Sequence, residues 1–379
     1  MSKNPKISVI VPTYNVELYL EKCLNSLKEQ TFSDFEVIIV NDESTDNSLK
    51  IAESFENLDK RFKVINQKNK GLGGARNTGI LHAIGDFIFL LDSDDYIKTN
   101  TFEDLYKYAT ENKLDLIVFN YDKVDEHGNK LASPKFGEGV FSKEEAFKKV
   151  LALKTSPQAW NKLYKRSLFI DNNILYPEKF LHEDLPVTYK LFWNAQKIGY
   201  CNESYYYWLV RGGSITQNFT YKHINDIVTA LIGVKNFLID QNIFEAYADE
   251  YIRGSVQMLN VLEERSISFS DKGGCFKEYV KYIIDSSSIV TSEEIANLSN
   301  YDSKLYDKFT NNYSKLGLTE TTDGVYKLIN KVDDLENQLF DIYNSKAYKF
   351  VKLYYLIRDK LFPVGSNRRE LIKKTLKRK

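Results

Sequence analysis

The sequence predicts an α/β domain built on a mostly parallel sheet, followed by an α-helical C-terminal region. Short β-branched runs, "KISVIVPTY" and "FEVIIVND" foremost, each lead into a helical pattern over the first 120 residues. Their apolar content is continuous, as in strands buried on both faces and separated by helices. From about Tyr221 onward the pattern turns helical, with few glycines and no repeat.

The first strand ends in the polar "PTYN". The second opens into "NDESTDNS", whose Ser, Thr and Asp residues are suited to cap the next helix. Asp42, Ser44, Asp46 and Glu53 fall at EF-hand positions, but Asn47 stands where glycine is required and a strand precedes, so a calcium loop is rejected. "RFKVINQ" is the third strand, and "NKGLGGARNTGI" a Gly-rich entry to a helix. Gly71, Gly73 and Gly74 permit close backbone approach, and a helix N-terminus favours an anion. The loop is neither a dinucleotide fingerprint nor a P-loop, because Arg76 replaces the last glycine and no Gly-Lys-Ser/Thr follows. An arginine there suits a diphosphate.

"DFIFLLD" then runs into Asp92, Asp94 and Asp95. Two readings fit. An Asp-x-Asp pair at a strand end can hold a divalent metal against a diphosphate; alternatively, the cluster caps the helix "TNTFEDLYKY". Asp95 is expected in the capping role. "LDLIVFN" continues the strand series. Ligands in such sheets bind beyond the carboxyl ends of the strands, so "PTYN", "NDESTD" and "DSDD" are predicted to converge on one cleft.

After Asn120, "YDKVDEHGNKLAS" reads as a hairpin turning near Gly128-Asn129, followed by a helix from about Lys143 to Leu153. "WNKLYKRSLF" returns toward the sheet. "HEDLPVTYKLFWNA" has the period of an amphipathic helix with its acids in the first turn, where the helix dipole favours them. Glu183 or Asp184 suits a general base if it faces a cleft; dipole complementarity is the other reading. His182 is read as structural. "KIGYCN" and "SYYYWLV" are strand-like, and "RGGSIT" is a loop.

Composition sets the class. Hydrophobic residues at 43% and charged residues at 27% describe a soluble globular protein. The 26 Tyr and 23 Phe serve core packing, with a share left for carbohydrate-contacting surface. Cys23, Cys201 and Cys275 are far apart and form no CxxC, so neither a zinc knuckle nor a disulfide framework is indicated. With no signal peptide and no apolar run near 18 residues, a cytoplasmic, non-spanning protein is expected. The net charge is zero, yet residues 344–379 carry 12 Lys or Arg against Asp359 and Glu370. This basic, partly apolar tail reads as a solvated helix or as peripheral attachment to an anionic membrane, at the inner face of the plasma membrane. Val325, Leu328, Val332, Leu335, Leu339 and Ile342 form a heptad-like seam for packing on the body or for a homo-oligomer through the C-terminal helices. No base-stacking module is recognisable, so no nucleic acid partner is expected.

Together "VPTYN", "VNDESTDNS", "NKGLGGARNTGI", "LDSDD", "NKLYKR" and "HEDLPVTYKLF", in this order, resemble the family 2 glycosyltransferases of GT-A fold, over about residues 5–220. The GT-A fold is a Rossmann-like, mostly parallel sheet flanked by helices. The expected organisation is a GT-A catalytic domain at 1–220, a helical domain at 221–318, and a heptad-like segment with the basic tail at 319–379. The resemblance implies an inverting transfer of a sugar from a UDP-sugar donor to a hydroxyl of a bacterial surface glycan, teichoic acid, glycolipid or other lipid-linked acceptor. Pro12, Tyr14 and Asp42 would line the uracil and ribose pocket, and Arg76 would sit near the diphosphate or donor sugar. Asp92 would approach the ribose, and Asp94 would hold Mg²⁺ or Mn²⁺. Asp184 would be the base, with Glu183 in support. Arg211 and Ser214 would belong to a loop closing on donor phosphate or acceptor. The Gln-x-x-Arg-Trp motif of processive synthases is absent, "YYYWLVRGGS" standing in its region, so a non-processive transferase is expected. Two other classes fit less well. A sugar-phosphate nucleotidyltransferase carries a Gly-rich, Arg- and Lys-containing loop after its first strand, where this chain has "PTYNVELYL". Intact Asp94 and Asp184 argue against a catalytically silent scaffold.

Overall fold

The computed structural model describes residues 4–211, 219–269 and 289–315. All of these fall within one compact unit, Met1–Gly317; a second unit, Leu318–Lys379, lies outside the described residues, as do the heptad-like seam and the basic tail.

The sheet begins with β1 (Ile7–Thr13), β2 (Phe35–Asp42), β3 (Phe62–Gln67) and β4 (Phe87–Leu90). Every residue of β1, β2 and β4 is buried, as their unbroken apolar runs require. Alternate residues enter two cores. Ile10, Ile38, Val40, Ile88 and Leu90 face one side, and Val9, Val11, Val37, Ile39 and Phe89 the other. The parallel order β3-β2-β1-β4 reverses direction between β1 and β4, the switch point where α/β sheets open a crevice. Pro12 falls beyond Ile10↔Leu90, where the β1–β4 ladder stops, so its missing N–H breaks no pairing there.

Beyond β4 the sheet becomes mixed. With β5 (Tyr96–Ile97), β6 (Leu116–Val124), β7 (Lys130–Ala132), β8 (Gly139–Ser142), β9 (Lys162–Lys165) and β10 (Lys197–Leu209), the order continues β4-β9-β6-β10-β5. β9 runs antiparallel between β4 and β6, which is the return of "NKLYKR" to the sheet. The hairpin at Gly128 forms as expected, its Gly128 at φ +82° and the Asp125 N–H donating to the Asn129 carbonyl at 3.0 Å. "KIGYCN" and "SYYYWLV" are one strand rather than two: β10 follows β6 throughout, absorbing the break in pattern as register shifts between Cys201 and Tyr206.

The helices of the first half are α1 (Leu20–Lys28), α2 (Ser48–Leu58), α3 (Gly71–His82) and α4 (Thr101–Asn112). α5 (Lys143–Leu151) starts from a reciprocal Ser142/Glu145 capping box. α6 (Ser167–Ile170) is one turn, and α7 (Leu185–Asn194) begins with Pro186 near its N-terminus, where a missing N–H costs nothing. The acids of "HEDLP" are not in its first turn. Helical geometry begins at Leu185, with Asp184 as N-cap and Glu183 before it. C-terminal to these are α8 (Tyr221–Asp240), α9 (Phe244–Phe269), α10 (Ser292–Tyr301) and α11 (Ser303–Lys315). Ile224, Ile227 and Leu238 of α8 and Val256, Leu259 and Leu262 of α9 share one apolar cluster with Ile10 and Val40 of the sheet. The helical region therefore buttresses the face of the sheet on which α3 and α7 lie.

Candidate active site

The loops after β1 and β2 are bolted together. Asn15 N–H donates to Ser44 Oγ (3.2 Å), Thr45 N–H to Asn15 Oδ1 (2.8 Å), and Glu17 N–H to Asp46 Oδ2 (2.9 Å). Asp46 Oδ1 also accepts from Ser48 N–H at the start of α2; the N-cap itself is Asn47, whose side chain makes no capping bond, so the expected capping comes from the residue before it, Asp46. These bonds hold its carboxyl below the usual range against the cost of burial. Tyr14, half exposed at 50%, projects from the loop, whereas Pro12 is buried in β1.

Asp42, at the tip of β2, is buried and fully engaged. It accepts from Gln67 Nε2 (2.7 Å) and from the backbone N–H groups of Lys70 and Gly71 (both 2.9 Å). The anion at the N-terminus of α3 is thus a carboxylate of the protein itself. The glycines also have an internal reason. A Cβ on Gly73 would stand 2.4 Å from the Pro177 carbonyl oxygen. Gly71 has φ +76°, and a Cβ there would stand 3.1 Å from the Lys179 backbone. Close backbone approach is real, but the approaching chain is the segment at 176–179.

α3 carries Arg76 inward, where it is 2% exposed. One guanidinium nitrogen bonds Glu183 Oε1 and the other Asp92 Oδ1 at 2.7 Å. Its pKa lies above the ordinary arginine value: burial opposes the charge, but Asp92 and Glu183 outweigh it. Arg76 also faces the Tyr176 ring at 5.5 Å. Arg76 Nε and the buried Tyr176 hydroxyl have no hydrogen-bond partner among the described residues. The sequence pattern puts Arg76 near diphosphate; the structure places it under two carboxylates from different segments.

The three aspartates after β4 separate cleanly. Asp92 is part exposed and paired to Arg76. Asp94, also part exposed, takes Nε and an Nη of Arg211 on its Oδ2 at 2.9 and 2.8 Å. Burial and the charge of Asp92 push the Asp94 carboxyl up, and Arg211 opposes them. Asp95 does not cap α4, whose N-cap is Asn100. It is buried, accepting from the Tyr206 hydroxyl (2.6 Å) and Leu209 N–H (2.8 Å), and so ties the acidic loop to β10. Burial raises the Asp95 carboxyl well above its ordinary range. Cys23 donates to the Asp92 carbonyl at 3.8 Å, and its thiol is pushed up by burial and the neighbouring aspartates, which makes it a poor nucleophile.

Asp92 and Asp94 fit a hard divalent cation. Both are oxygen donors at one strand end, each meets its arginine through a single carboxylate oxygen, and their mutual repulsion is uncompensated in part. Among the described residues no three His, Cys, Asp or Glu side chains form a metal cluster.

Glu183 is buried, and Asp184 accepts from Leu185 N–H at 2.9 Å. Burial raises both carboxyls, with Arg76 opposing in each case and Lys162 opposing at Asp184. His182 adopts φ +57° and packs its ring 5.5 Å from that of His223, in keeping with a structural part. Arg211 also lies over the Tyr19 ring at 4.7 Å. Ser214 lies outside the described residues. Lys162, a buried lysine whose charge acts on Asp184, escapes sequence reasoning; its place in "NKLYKR" gives no sign of burial.

A family model described as "Glycosyl transferase family 2" matches residues 8–172. Glycosyltransferase GlyA of Streptococcus pneumoniae is 35% identical over 61% of this chain, and the chain spans only 34% of GlyA's own length. Glycosyltransferase GlyG of the same organism is 33% identical over 59% of this chain and 77% of GlyG. The crystal structure of Staphylococcus aureus TarS residues 1–349 in complex with UDP-GlcNAc is 27% identical, covers 82% of this chain and 90% of that one, and gives a TM-score of 0.60. The α/β sheet, the acidic loop after β4 and the paired carboxylates before α7 thus stand in a chain that matches this family's model and much of GlyG: it belongs to the family 2 glycosyltransferases.

Proposed function

We propose that the protein transfers a sugar from a UDP-sugar to an acceptor hydroxyl in a single inverting displacement, without processive elongation. The observation that carries this reading is the buried Arg76 bridge. It binds Asp92, from the acidic strand end, and Glu183, from the segment that opens α7, and so sets the two carboxylate groups across one site. The UDP-GlcNAc bound by TarS supports a UDP-sugar as the donor class.

In this reading Tyr14, on the part of the β1 loop left exposed, offers its ring to the uracil, and Pro12 and Asp42 shape the floor of that pocket. Asp92 stands beside the ribose. Asp94 would hold Mg²⁺ or Mn²⁺, which when bound neutralises charge on the diphosphate. Arg211 and Ser214, of the motif "RGGSIT", are assigned to contact with the donor phosphate or the acceptor. Asp184 takes the proton from the acceptor hydroxyl, whose oxygen forms the new bond to the anomeric carbon. The bond from that carbon to the diphosphate oxygen breaks with its electron pair leaving on UDP. Attack and departure occur on opposite faces, so the base and the donor site must come from different segments. Glu183 and Arg76 hold Asp184 and Asp92 in fixed relation.

The acceptor is proposed to be a hydroxyl of a bacterial surface glycan, teichoic acid or glycolipid; TarS is named a poly(ribitol-phosphate) β-N-acetylglucosaminyltransferase. Among the described residues no helix is long and apolar enough to cross a membrane. The charge of residues 344–379 supports the proposal of attachment at an anionic membrane surface. Incubation with a panel of UDP-sugars, acceptor and Mg²⁺ should release UDP, and Asp94→Ala and Asp184→Ala should each abolish release. Wild-type rates in both variants would refute the assignment.

A further inference from the structure

Lys162 opens β9 and is fully buried. Its ammonium donates to the Ser156 carbonyl (2.8 Å), the Gln158 carbonyl (2.6 Å) and Asn161 Oδ1 (2.6 Å). These bonds match its donor capacity and close the turn at 156–161 on itself. The turn is fixed on one side to β6, where Asn161 Nδ2 donates to the Phe119 carbonyl (3.2 Å) and Phe119 N–H to the Asn161 carbonyl (3.1 Å). On the other side Thr188 Oγ1, in the first turn of α7, donates to the Pro157 carbonyl at 2.7 Å. Thr188 N–H in turn donates to the Asp184 carbonyl at 2.9 Å. The turn is wedged between the sheet and the helix that Asp184 caps.

A neutral donor would brace a turn with a far smaller desolvation cost than an ammonium. The three acceptors of Lys162 are all neutral, so none of them accounts for the charge. Asp184 is the charged group whose attraction Lys162 feels. Burial pushes the ammonium down to about 7, and Asp184 opposes that. We propose that Lys162 is a positioning residue of the transfer site: its ammonium clamps the 156–161 turn against α7 and supplies counter-charge that keeps Asp184 ionised. This rests on the reading of Asp184 as the base.

Among the described residues, the ionisable groups with an electrostatic influence on or from Asp184 include Arg76 from α3, Glu183 beside it, Lys162 and Tyr164 from β9, and Tyr176 from the segment before α7. Burial raises both phenols, so they stay neutral, and Arg76 is already shared between Asp92 and Glu183. Among the described residues Lys162, unlike Arg76, makes no ion pair with another carboxylate.

The test compares pH profiles of UDP release for wild type, Lys162→Met, Thr188→Val and Asp184→Asn, with UDP affinity measured calorimetrically for each. Removing the charge of Lys162 leaves burial less opposed, so the acid limb should move upward by on the order of one pH unit. UDP affinity should stay within about threefold of wild type, because the clamp does not touch the donor pocket. Thr188→Val keeps the charge and loosens the clamp: kcat should fall severalfold with the acid limb unmoved. An unmoved acid limb in Lys162→Met, or wild-type kcat in Thr188→Val, overturns the inference. If Lys162→Met also loses UDP affinity, Lys162→Arg is read instead: a wild-type acid limb supports the role, and a displaced one overturns it. Wild-type turnover in Asp184→Asn would remove the base assignment itself, a distinct failure.

Discussion

Replacing Arg76 with methionine keeps much of the side-chain volume and removes the cation that two carboxylates share. Arg76 is 2% exposed and the Glu183 side chain 9%, so neither is screened by water, whereas the Asp92 side chain is 22% exposed and can partly resolvate. Removing one partner of a buried ion pair costs about 3–5 kcal/mol, because the remaining charge is left uncompensated. The exposure of Asp92 places this case near the lower end, about 3 kcal/mol, and the fall in Tm at roughly 4–5 °C for a unit of this length. The penalty should depend on pH in a defined direction. Burial raises the Glu183 and Asp184 carboxyls in the folded protein. A raised carboxyl favours folding below its unfolded value, and that contribution is lost as pH rises through the folded value. Without Arg76 both are raised further, so the variant should lose most against wild type near neutrality and recover part of the difference toward the ordinary carboxylate range. Urea unfolding of wild type and Arg76→Met at about pH 8 and about pH 5.5 measures this. Equal stability at the higher pH, or a penalty that does not shrink in acid, would refute the bridge as the organising interaction.

Three further outcomes follow from the same geometry. Gly73→Ala places a methyl against the Pro177 carbonyl and should cost roughly 1–3 kcal/mol, read by unfolding; a neutral change would mean the 176–179 segment does not lie on α3. Asp95→Ala strands the Tyr206 hydroxyl and Leu209 N–H and should destabilise by about 1–3 kcal/mol, with Tyr206→Phe costing less; a larger loss in Tyr206→Phe would contradict the two-donor arrangement. Deleting residues 344–379 should cut sedimentation with anionic vesicles at low salt, and unchanged binding would assign those cations elsewhere.

Much of the framework is legible locally. The strands β1, β2 and β4 announce themselves because burial on both faces demands unbroken apolar runs, and the polar residues at their ends mark where each strand leaves the sheet. What escapes local reading depends on partners far along the chain. Asp95 looks like a cap for the next helix, yet its partners are Tyr206 and Leu209, each more than 100 residues away in sequence. The glycines of α3 look shaped for a ligand, but the chain at 176–179 occupies the space they leave. Lys162 sits in a motif with two other cations, Lys165 and Arg166, and nothing in that run marks which one is buried. The acids before α7 stand out in the sequence, but their register is displaced: a proline after Leu185 lets Asp184 be the cap rather than a first-turn residue.

The most direct measurement is donor binding and sugar transfer by Asp184→Asn, which keeps the N-cap geometry and removes the base. Its affinity for UDP should match wild type within about threefold, while transfer falls by about 10²–10⁴-fold, the usual contribution of a general base. Transfer at the wild-type rate with unaltered UDP affinity would contradict Asp184 as the base and with it the proposed chemistry.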